Sequence, residues 1–439
     1  MRVYLHRNFL LSFLASFISL FGSKLLMIAY VAFVFTESGS ATLAAIVFAA
    51  DWMANLFIGV LGAQYIDRQD AKKLLIWLNL VTAAVTLLFL GFTDPDLYVY
   101  AVFIIFVRAL LKSAVQNARV KALVQFFDEK ETNTFSPLFN SALPIAMALA
   151  GAVGVFLLNV VGMAVVVLID AACFLVAAWL MMLVRPNKAR LAASLHSSRG
   201  EGRRSSLSGV RDAATLMTHN DTIGTAVFYI VLSVTAFQAT YESLITVIPE
   251  IWFGYGESGI ALFFTFESVS IMAGAFIYQY FSRRDLINDS NKEKVNLAVV
   301  AAITVLYLAM PSASDNIVLA VVMFSLMVLG GEIIWVHHFK LMIAHTPGAR
   351  VSSVVGLQTA IGYSLMAVFA FVFARGLDSI GVDTTVYLNI ALTVALVIGW
   401  ELVRRKIQHR ERQAAAGVPG AAASETPETP DKPAKSTAQ

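Results

Sequence analysis

Residues 59–75 read GVLGAQYIDRQDAKKLL and place a dense group of charges between two long apolar segments. The charged residues fall within positions 67–73, and each flanking segment is long enough to cross a bilayer. Charged side chains are costly in hydrocarbon, so this turn must reach water at one face of a membrane. The pattern predicts two membrane-spanning helices joined by a short charged loop.

The composition of the whole chain indicates a polytopic membrane protein. Of the 439 residues, 58% are hydrophobic and only 14% are charged, a balance that soluble domains do not show. The first apolar segment, about residues 8–35, exceeds the core of a signal peptide, so we expect no cleaved leader. The single cysteine, Cys173, gives no basis for a disulfide framework or a cysteine-based metal site.

Twelve apolar segments approach or exceed the roughly 20 residues that a transmembrane helix needs. They lie at residues 8–35, 43–66, 74–92, 97–118, 137–158, 160–184, 222–250, 258–281, 295–311, 316–339, 351–375 and 384–403. The sequence contains no Walker A motif, no Cys-x-x-Cys pair and no nucleophile elbow, so it indicates neither ATP hydrolysis nor covalent catalysis. We therefore expect no enzyme activity, no metal and no cofactor, with energy supplied by a proton gradient.

The basic residues predict which side of the membrane each loop occupies. Of the 32 Lys and Arg residues, 28 lie at the termini, in the central loop or in loops on one predicted side. The loops on the other side, which contain none, are at 36–42, 93–96, 159, 251–257, 312–315 and 376–383. Because cytoplasmic loops carry the excess of basic residues, both termini are predicted to be cytoplasmic, in a bacterial cytoplasmic (inner) membrane.

The chain divides into two six-span halves around a basic central segment. Residues 1–184 form the predicted N-terminal half, residues 185–221 a cytoplasmic central loop, and residues 222–403 the C-terminal half. After Arg412 the sequence becomes rich in Ala, Gly, Pro, Thr, Glu and Lys, and we predict that residues 404–439 form a disordered cytoplasmic tail. The predicted fold class is an all-α membrane protein with twelve helices in two six-helix bundles.

Eight charged residues lie in the interiors of the predicted spans, away from the span ends, where each is costly unless it faces protein or water. The first half holds Lys24, Asp51, Arg108, Lys112 and Asp170, and the second half holds Glu242, Glu267 and Glu332. All three cations therefore belong to the first half, whereas the second half contributes only acids.

This division of charge predicts two kinds of site. We predict that an anionic substrate binds at Lys24, Asp51, Arg108 and Lys112. Removal from water favours the protonated form of a glutamate, so Glu242, Glu267 and Glu332 are the predicted proton-coupling residues. No catalytic or metal-binding residue is predicted.

Each of these residues also has a structural interpretation. Lys24 and Asp51 could pair with each other across spans one and two, and Arg108 could clamp the bundle. Lys112 could extend its ammonium toward the interface. Any one glutamate could serve only as a hydrogen-bond partner, and Asp170 could be a packing partner.

The charged turn resembles the loop between spans two and three of the major facilitator superfamily. The resemblance rests on Asp67, Arg68, Asp70, Lys72 and Lys73, with Ala63 at the position of the usual glycine. It implies a twelve-span secondary transporter over about residues 5–405. It also implies a cytoplasmic gate at Asp67, Arg68 and Lys72, in which the aspartate docks on the start of span eleven, near Val351.

Span four carries a second part of the resemblance. Arg108 matches the arginine that the family uses in proton transfer or substrate contact, and residues 117–123 and 129–134 continue the likeness. Within the superfamily the chain looks most similar to the proton-coupled exporters of the macrolide-efflux and siderophore-export branch. Span five departs from that branch, since residues 149–154 lack its proline. The superfamily's arrangement also implies that spans three, six, nine and twelve face outward.

The predicted function is export of a small molecule by proton antiport with alternating access, and three cations favour a polar anionic solute such as a siderophore. The first alternative is a multidrug or macrolide-type efflux pump whose cations pair internally. Its binding wall would include Phe237, Tyr241, Phe264 and Phe266. An importer remains a further alternative.

An enzyme is the alternative from another class. It would use Glu332, His337 and His338 as a metal or relay cluster, although solvated histidines near the inner interface explain that pair equally simply. The expected partners are a small-molecule substrate and the lipid bilayer, with no nucleic acid, and the expected oligomeric state is a monomer.

Overall fold

The structure is a computed structural model of the chain. It describes residues 7–58, 66, 69–92, 95–127, 131, 135, 139, 141–185, 206–284, 286–287, 291–347 and 350–416. These residues form helices and short turns, without β-strands. The central segment at 186–205, the charged pair Asp67 and Arg68, and the tail beyond Ala416 lie outside the described residues.

In the part of the chain that the structure describes, the first half has six long helices, the second half has six, and one short helix lies between them. The first half contains α1 (Arg7–Ser38), α2 (Ala41–Phe57), α3 (Ala71–Leu88), α4 (Tyr98–Phe126), α5 (Ala142–Leu157) and α6 (Met163–Leu183). The connecting helix is α7 (Ser206–His219). The second half contains α8 (Asp221–Trp252), α9 (Gly256–Arg283), α10 (Lys292–Ala309), α11 (Ile317–His345), α12 (Val351–Ile380) and α13 (Val382–Ala416).

The prediction of twelve spans is confirmed. Ten helices among the described residues are long and apolar enough to cross a membrane, and α2 and α5 are shorter apolar helices at the two remaining predicted positions. Large apolar side chains such as Trp77, Phe156 and Val160 are 68%, 78% and 81% exposed. Exposed apolar surface on this scale fits contact with lipid.

Helix starts follow ordinary capping chemistry. Ser40 accepts a hydrogen bond from the Leu43 amide at the start of α2 (3.3 Å), and Asp70 accepts one from the Lys72 amide at the start of α3 (2.9 Å). Asn220 caps α8 in the same way, through the Ile223 amide at 3.0 Å. These side chains satisfy amides that the first helical turn leaves without a partner.

The helix α8 is interrupted by two π-helical segments, Ser233–Gln238 and Ile248–Trp252. A π-segment widens the helical turn and displaces backbone carbonyls from regular pairing. Side chains from neighbouring helices bind two of these carbonyls: Tyr307 donates to Phe237 O at 3.1 Å, and Asn389 donates to Ala236 O at 3.0 Å. The irregular turn is therefore held in place directly before Glu242.

The two halves pack together more closely at one end of the bundle than at the other. We call the end that contains the 39–40, 158–162 and 253–255 turns the Ser40 end, and the opposite end, where α6 stops at Leu183, the Arg185 end. From the middle of the bundle to the Ser40 end, one buried core contains residues of both halves. At the Arg185 end, the described residues form two separate cores, one in each half. This conformation is therefore closed at the Ser40 end.

Two helical segments lie where the sequence predicts loop or tail. The connecting helix α7 packs against the second half, where Ala213 and Met217 are buried with Ile223 and Val354. The last helix, α13, continues beyond residue 403 to Ala416. Ala213 and Met217 are four residues apart, a helical spacing that a search for long apolar segments does not detect.

Candidate transport site

A small cavity lies between the two halves. It measures about 30 Å³, room for about two water molecules. The helices α1, α2 and α5 line it from the first half, and α8 and α9 from the second. Its lining comprises Lys24, Met27, Ile28, Phe48, Asp51, Trp52, Met147, Glu242, Phe264, Glu267 and Ser268. Four of the predicted site residues thus meet at one cavity: Lys24, Asp51, Glu242 and Glu267.

Lys24 is the cation of this cavity. It lies on α1, partly exposed to the cavity, and has no hydrogen bond or ion pair with any described residue. It interacts electrostatically with Glu242 and Glu267 of the second half. The pairing of Lys24 with Asp51, considered above, does not occur in this conformation.

Asp51 pairs instead with Lys112. The Lys112 ammonium donates directly to Asp51 Oδ1 and so joins α4 to α2. The two side chains are 14% and 11% exposed, respectively. Because each charge neutralises the other, Lys112 contributes little free positive charge to the cavity that Asp51 lines.

Arg108 is engaged still more completely. Its guanidinium forms an ion pair with Asp170 on α6, and its Nε donates to Thr86 Oγ1 on α3 at 3.0 Å. The Arg108 and Asp170 side chains are 5% and 1% exposed. This cluster joins three helices of the first half, and neither ionic partner lines the cavity. Asp170, predicted to lie in an outward-facing span, is therefore buried inside the half.

The helix α1 packs closely against α6 beside the Arg108–Asp170 pair. A Cβ atom at Gly22 would lie 2.7 Å from Cys173 Cβ and 2.9 Å from Asp170 Oδ1. Only glycine permits this approach of α1 to α6. The position of Lys24, two residues further along α1, is thus fixed by contact with the buried Arg108–Asp170 pair.

Two glutamates face the cavity from the second half. Glu242 accepts a hydrogen bond from Gln238, one turn earlier on α8, at 2.9 Å. Glu267 on α9 is 1% exposed, and its Oε2 has no hydrogen-bond partner. A buried carboxylate oxygen without a partner is costly when ionised, so this group favours a bound proton or a cationic ligand.

Glu332 is separate from this cavity. It lies on α11, where its Cβ packs against α9 near Gly274, and it does not line the cavity. It interacts electrostatically with Tyr241, which also interacts with Glu242 and Glu267. The three predicted coupling residues therefore surround Tyr241, although only two reach the cavity.

The aromatic wall differs from the one considered for a drug exporter. Phe264 lines the cavity, with its ring centroid 6.1 Å from that of Phe48. Phe48 stacks on Trp52 at 5.6 Å. Phe266, by contrast, is 38% exposed on the outer surface of α9. The other two expected rings, those of Phe237 and Tyr241, are buried in the second half and do not line the cavity.

Sequence reasoning missed Phe48, Trp52 and Met147, because apolar residues in an apolar segment give no signal of their own. Trp52 could have been noticed as the neighbour of the charged Asp51.

The described part of the charged turn is held by the first half. Lys72 Nζ donates to the carbonyls of Met182 and Val184 at 2.9 and 2.7 Å, which caps the end of α6. Lys121 binds the Ile66 and Gln69 carbonyls at 3.0 and 2.5 Å. The gate predicted at Asp67 and Arg68 lies outside the described residues.

His337 and His338 are buried rather than solvated. They are 8% and 4% exposed, which corrects the expectation of ordinary interfacial histidines. The His337 ring contacts Tyr278 Oη at 3.2 Å, and the His338 ring contacts Asn296 Oδ1 at 3.0 Å. Both rings are thus part of the packing among α9, α10 and α11.

Among the described residues, twelve apolar helices and a charged cavity between them are the architecture of a membrane transporter. The sequence model of the Major Facilitator Superfamily matches residues 12–371, and the chain belongs to this superfamily. A comparison with curated proteins finds no match.

Solved structures of transporters share the fold. The nucleoside transporter NupG is 14% identical, with a TM-score of 0.67, and the match covers 90% of this chain and 99% of that one. The POT family transporter PepTSo is 13% identical, with a TM-score of 0.68 and coverages of 92% and 98%. A bacterial homologue of the human lysosomal transporter Spinster, in an inward-facing and occupied conformation, is 11% identical, with a TM-score of 0.65 and coverages of 93% and 98%. At these identities the likeness concerns the fold alone.

Proposed function

We propose that this protein exports a small amphipathic solute from the bacterial cytoplasm in exchange for protons, by alternating access of its two halves. The observation that carries the proposal is Glu267, a fully buried carboxylate with an unpartnered oxygen in the cavity between the halves. In this position a carboxylate is more stable with a proton or a cationic ligand bound than ionised and unpaired.

Proton exchange at Glu267 gives a simple coupling scheme. When the cavity opens to the outside, Glu267 takes up a proton; when it opens to the cytoplasm, an incoming substrate displaces that proton. Exchange of one proton for one solute cation moves no net charge, so the pH difference across the membrane drives it, at about 1.4 kcal/mol per pH unit. Lys24 faces the same cavity. It stabilises the ionised Glu267 after the substrate has left and before the next proton binds.

The cavity walls favour an amphipathic solute that carries an amine. Arg108 and Lys112 are ion-paired, and Lys24 is the cation that lines the cavity together with Asp51, Glu242 and Glu267. An ammonium group would replace the proton on Glu267, and an apolar body would contact the rings of Phe48, Trp52 and Phe264. This is the multidrug-type alternative described above.

One observation favours a second candidate, an anionic solute of the siderophore type. Lys24 lines the cavity and makes no hydrogen bond or ion pair with a described residue, so its ammonium can bind a carboxylate of the substrate. Under this proposal a carboxylate of the substrate binds Lys24 in place of the two glutamates with which Lys24 interacts in this conformation.

The placement of the loops supports an orientation in the membrane. The Arg185 end carries the basic loops, so we assign it to the cytoplasm, with the Ser40 end outside. With the Ser40 end closed, the conformation is one in which an exporter could take up solute from the cytoplasm, and the transport assay below decides the direction.

Transport into inverted membrane vesicles tests these proposals. We would compare uptake of ethidium, an amphipathic cation, with uptake of a carboxylate siderophore, using wild type, Lys24→Gln and Glu267→Gln. The proposed exporter accumulates ethidium when the vesicle interior is acidified; Glu267→Gln loses this accumulation and Lys24→Gln retains it. Accumulation of the siderophore alone, lost in Lys24→Gln, would replace the first candidate by the second. No accumulation of either probe, or accumulation unchanged in Glu267→Gln, would contradict proton-coupled export.

The exposed Asp383 provides a matched control for Glu267→Gln. It has no hydrogen bond or ion pair with a described residue, and it lies at the Ser40 end, away from the cavity. Asp383→Asn removes one carboxylate charge and should transport as wild type does.

A further inference from the structure

A carboxylate of the second half binds the start of a helix in the first half. Asp378, near the end of α12, accepts hydrogen bonds from the Ala41 amide at 2.8 Å and the Thr42 amide at 3.0 Å. It also accepts one from the Ser40 hydroxyl at 2.7 Å. Asp378 Oδ1 and Oδ2 are thus both used at the first turn of α2.

The chemistry of these contacts suits an ionised carboxylate. The first amides of a helix have no intrahelical acceptor, and the N-terminus carries partial positive charge. Ser40 caps α2 by accepting a hydrogen bond from the Leu43 amide. Asp378, from another part of the chain, accepts the hydrogen bonds of the two preceding amides. The Ser40 side chain therefore accepts within its own helix and donates across to the second half.

These hydrogen bonds join the two halves at the Ser40 end. They connect residues 336 to 338 positions apart in the sequence. The same end of the bundle contains the core that the two halves share. For the cavity to open toward the Ser40 end, α2 and α12 must separate there, and Asp378 must exchange these donors for water.

We propose that Asp378 is the latch that holds the Ser40 end closed, and that its contacts with Ser40, Ala41 and Thr42 break each time the transporter opens on that side. This inference rests on the alternating access proposed above. Asp378 touches neither substrate nor proton in this scheme. It sets the balance between the two conformations.

The latch is well suited to repeated opening. Asp378 is exposed and Ser40 and Thr42 are half-buried, so separation of α2 and α12 gives the carboxylate to water and exposes no buried charge. A contact of this kind biases a conformational equilibrium without making it irreversible.

Distance measurements between spin labels test this proposal without substrate or gradient. Labels at Val160→Cys and Asp315→Cys, both exposed turn residues at the Ser40 end of the two halves, would be introduced in a Cys173→Ser background. The ratio of long to short distances would be measured in lipid nanodiscs, over a pH series that populates both. Asp378→Ala should raise this ratio about tenfold relative to the parent, the effect of losing one charge-assisted contact.

Three further variants separate the latch from a general loss of structure. Ser40→Ala removes one of the donors and should raise the ratio by less than Asp378→Ala. Asp378→Glu keeps the charge and should restore part of the closed population. Asp383→Asn, the nearby exposed carboxylate, should leave the ratio unchanged.

A ratio in Asp378→Ala equal to that of the parent would overturn the proposal. A ratio that rises equally in Asp378→Ala and Asp383→Asn would also overturn it. The distance measurement does not require transport, so its result is independent of the transport assay. A protein that does not exchange protons for ethidium could still show the effect of Asp378→Ala on the distances. Normal exchange with no effect of Asp378→Ala on the distances would reject the latch alone.

Discussion

Replacing Arg108 by methionine distinguishes a structural arginine from a substrate-binding one. The substitution leaves Asp170, with a side chain 1% exposed, without its ionic partner and with the weak Thr86 contact at 3.3 Å. Breaking a buried ion pair by removing one partner costs about 3–5 kcal/mol. We therefore expect Arg108→Met to lower the midpoint of thermal unfolding of the purified protein by several degrees.

A double-mutant cycle tests whether the loss of stability in Arg108→Met comes from the unpaired Asp170. Arg108→Met with Asp170→Leu removes both charges, and replacing a buried pair by apolar side chains is often neutral or stabilising. The double variant should therefore recover most of the stability that the single variant loses, and it should still fold and transport. If Arg108→Met unfolds at the wild-type temperature yet loses transport, the structural assignment is wrong and Arg108 acts on the substrate or the proton.

Three further predictions concern the cavity and the contact between the halves. Lys112→Met should destabilise the protein, and adding Asp51→Asn should restore stability, because the two side chains neutralise each other beside the cavity; thermal unfolding measures both. Gly151→Leu should prevent closure at the Ser40 end, since a Cβ there would lie 2.5 Å from Thr265 Oγ1 and 2.8 Å from the Thr265 amide nitrogen. Increased long-distance population between the spin labels would show this, and an unchanged distribution would contradict it. Trp52→Ala should weaken ethidium binding about tenfold through lost aromatic contact, as fluorescence titration can measure, and unchanged affinity would remove Trp52 from the binding wall.

The spans and their order could be predicted because hydropathy is a local property of the chain. Apart from Asp170, the segment 160–184 is apolar over almost its whole length, and it forms the helix Met163–Leu183. The same reasoning placed charged residues inside spans correctly. It also found Glu242 and Glu267, which meet at the cavity.

The partners of those charges could not be predicted, because they depend on how helices pack against one another. Asp51 pairs with Lys112 rather than Lys24, since α2 and α4 turn these faces toward each other. Asp170 meets Arg108 across α4 and α6. Asp378 gave no signal as a single carboxylate near a helix end, and its role depends on a contact with residues 336 to 338 positions away.

The measurement that tests the central claim most directly is proton release when substrate binds to the purified protein. In weakly buffered solution near neutral pH, we expect saturating ethidium to release about one proton per wild-type protein, because the positively charged ring of ethidium replaces the proton on Glu267. Glu267→Gln should bind without release, whereas Asp383→Asn should behave as wild type. Equal release from wild type and Glu267→Gln would show that the exchanged proton belongs to another residue and would contradict the account.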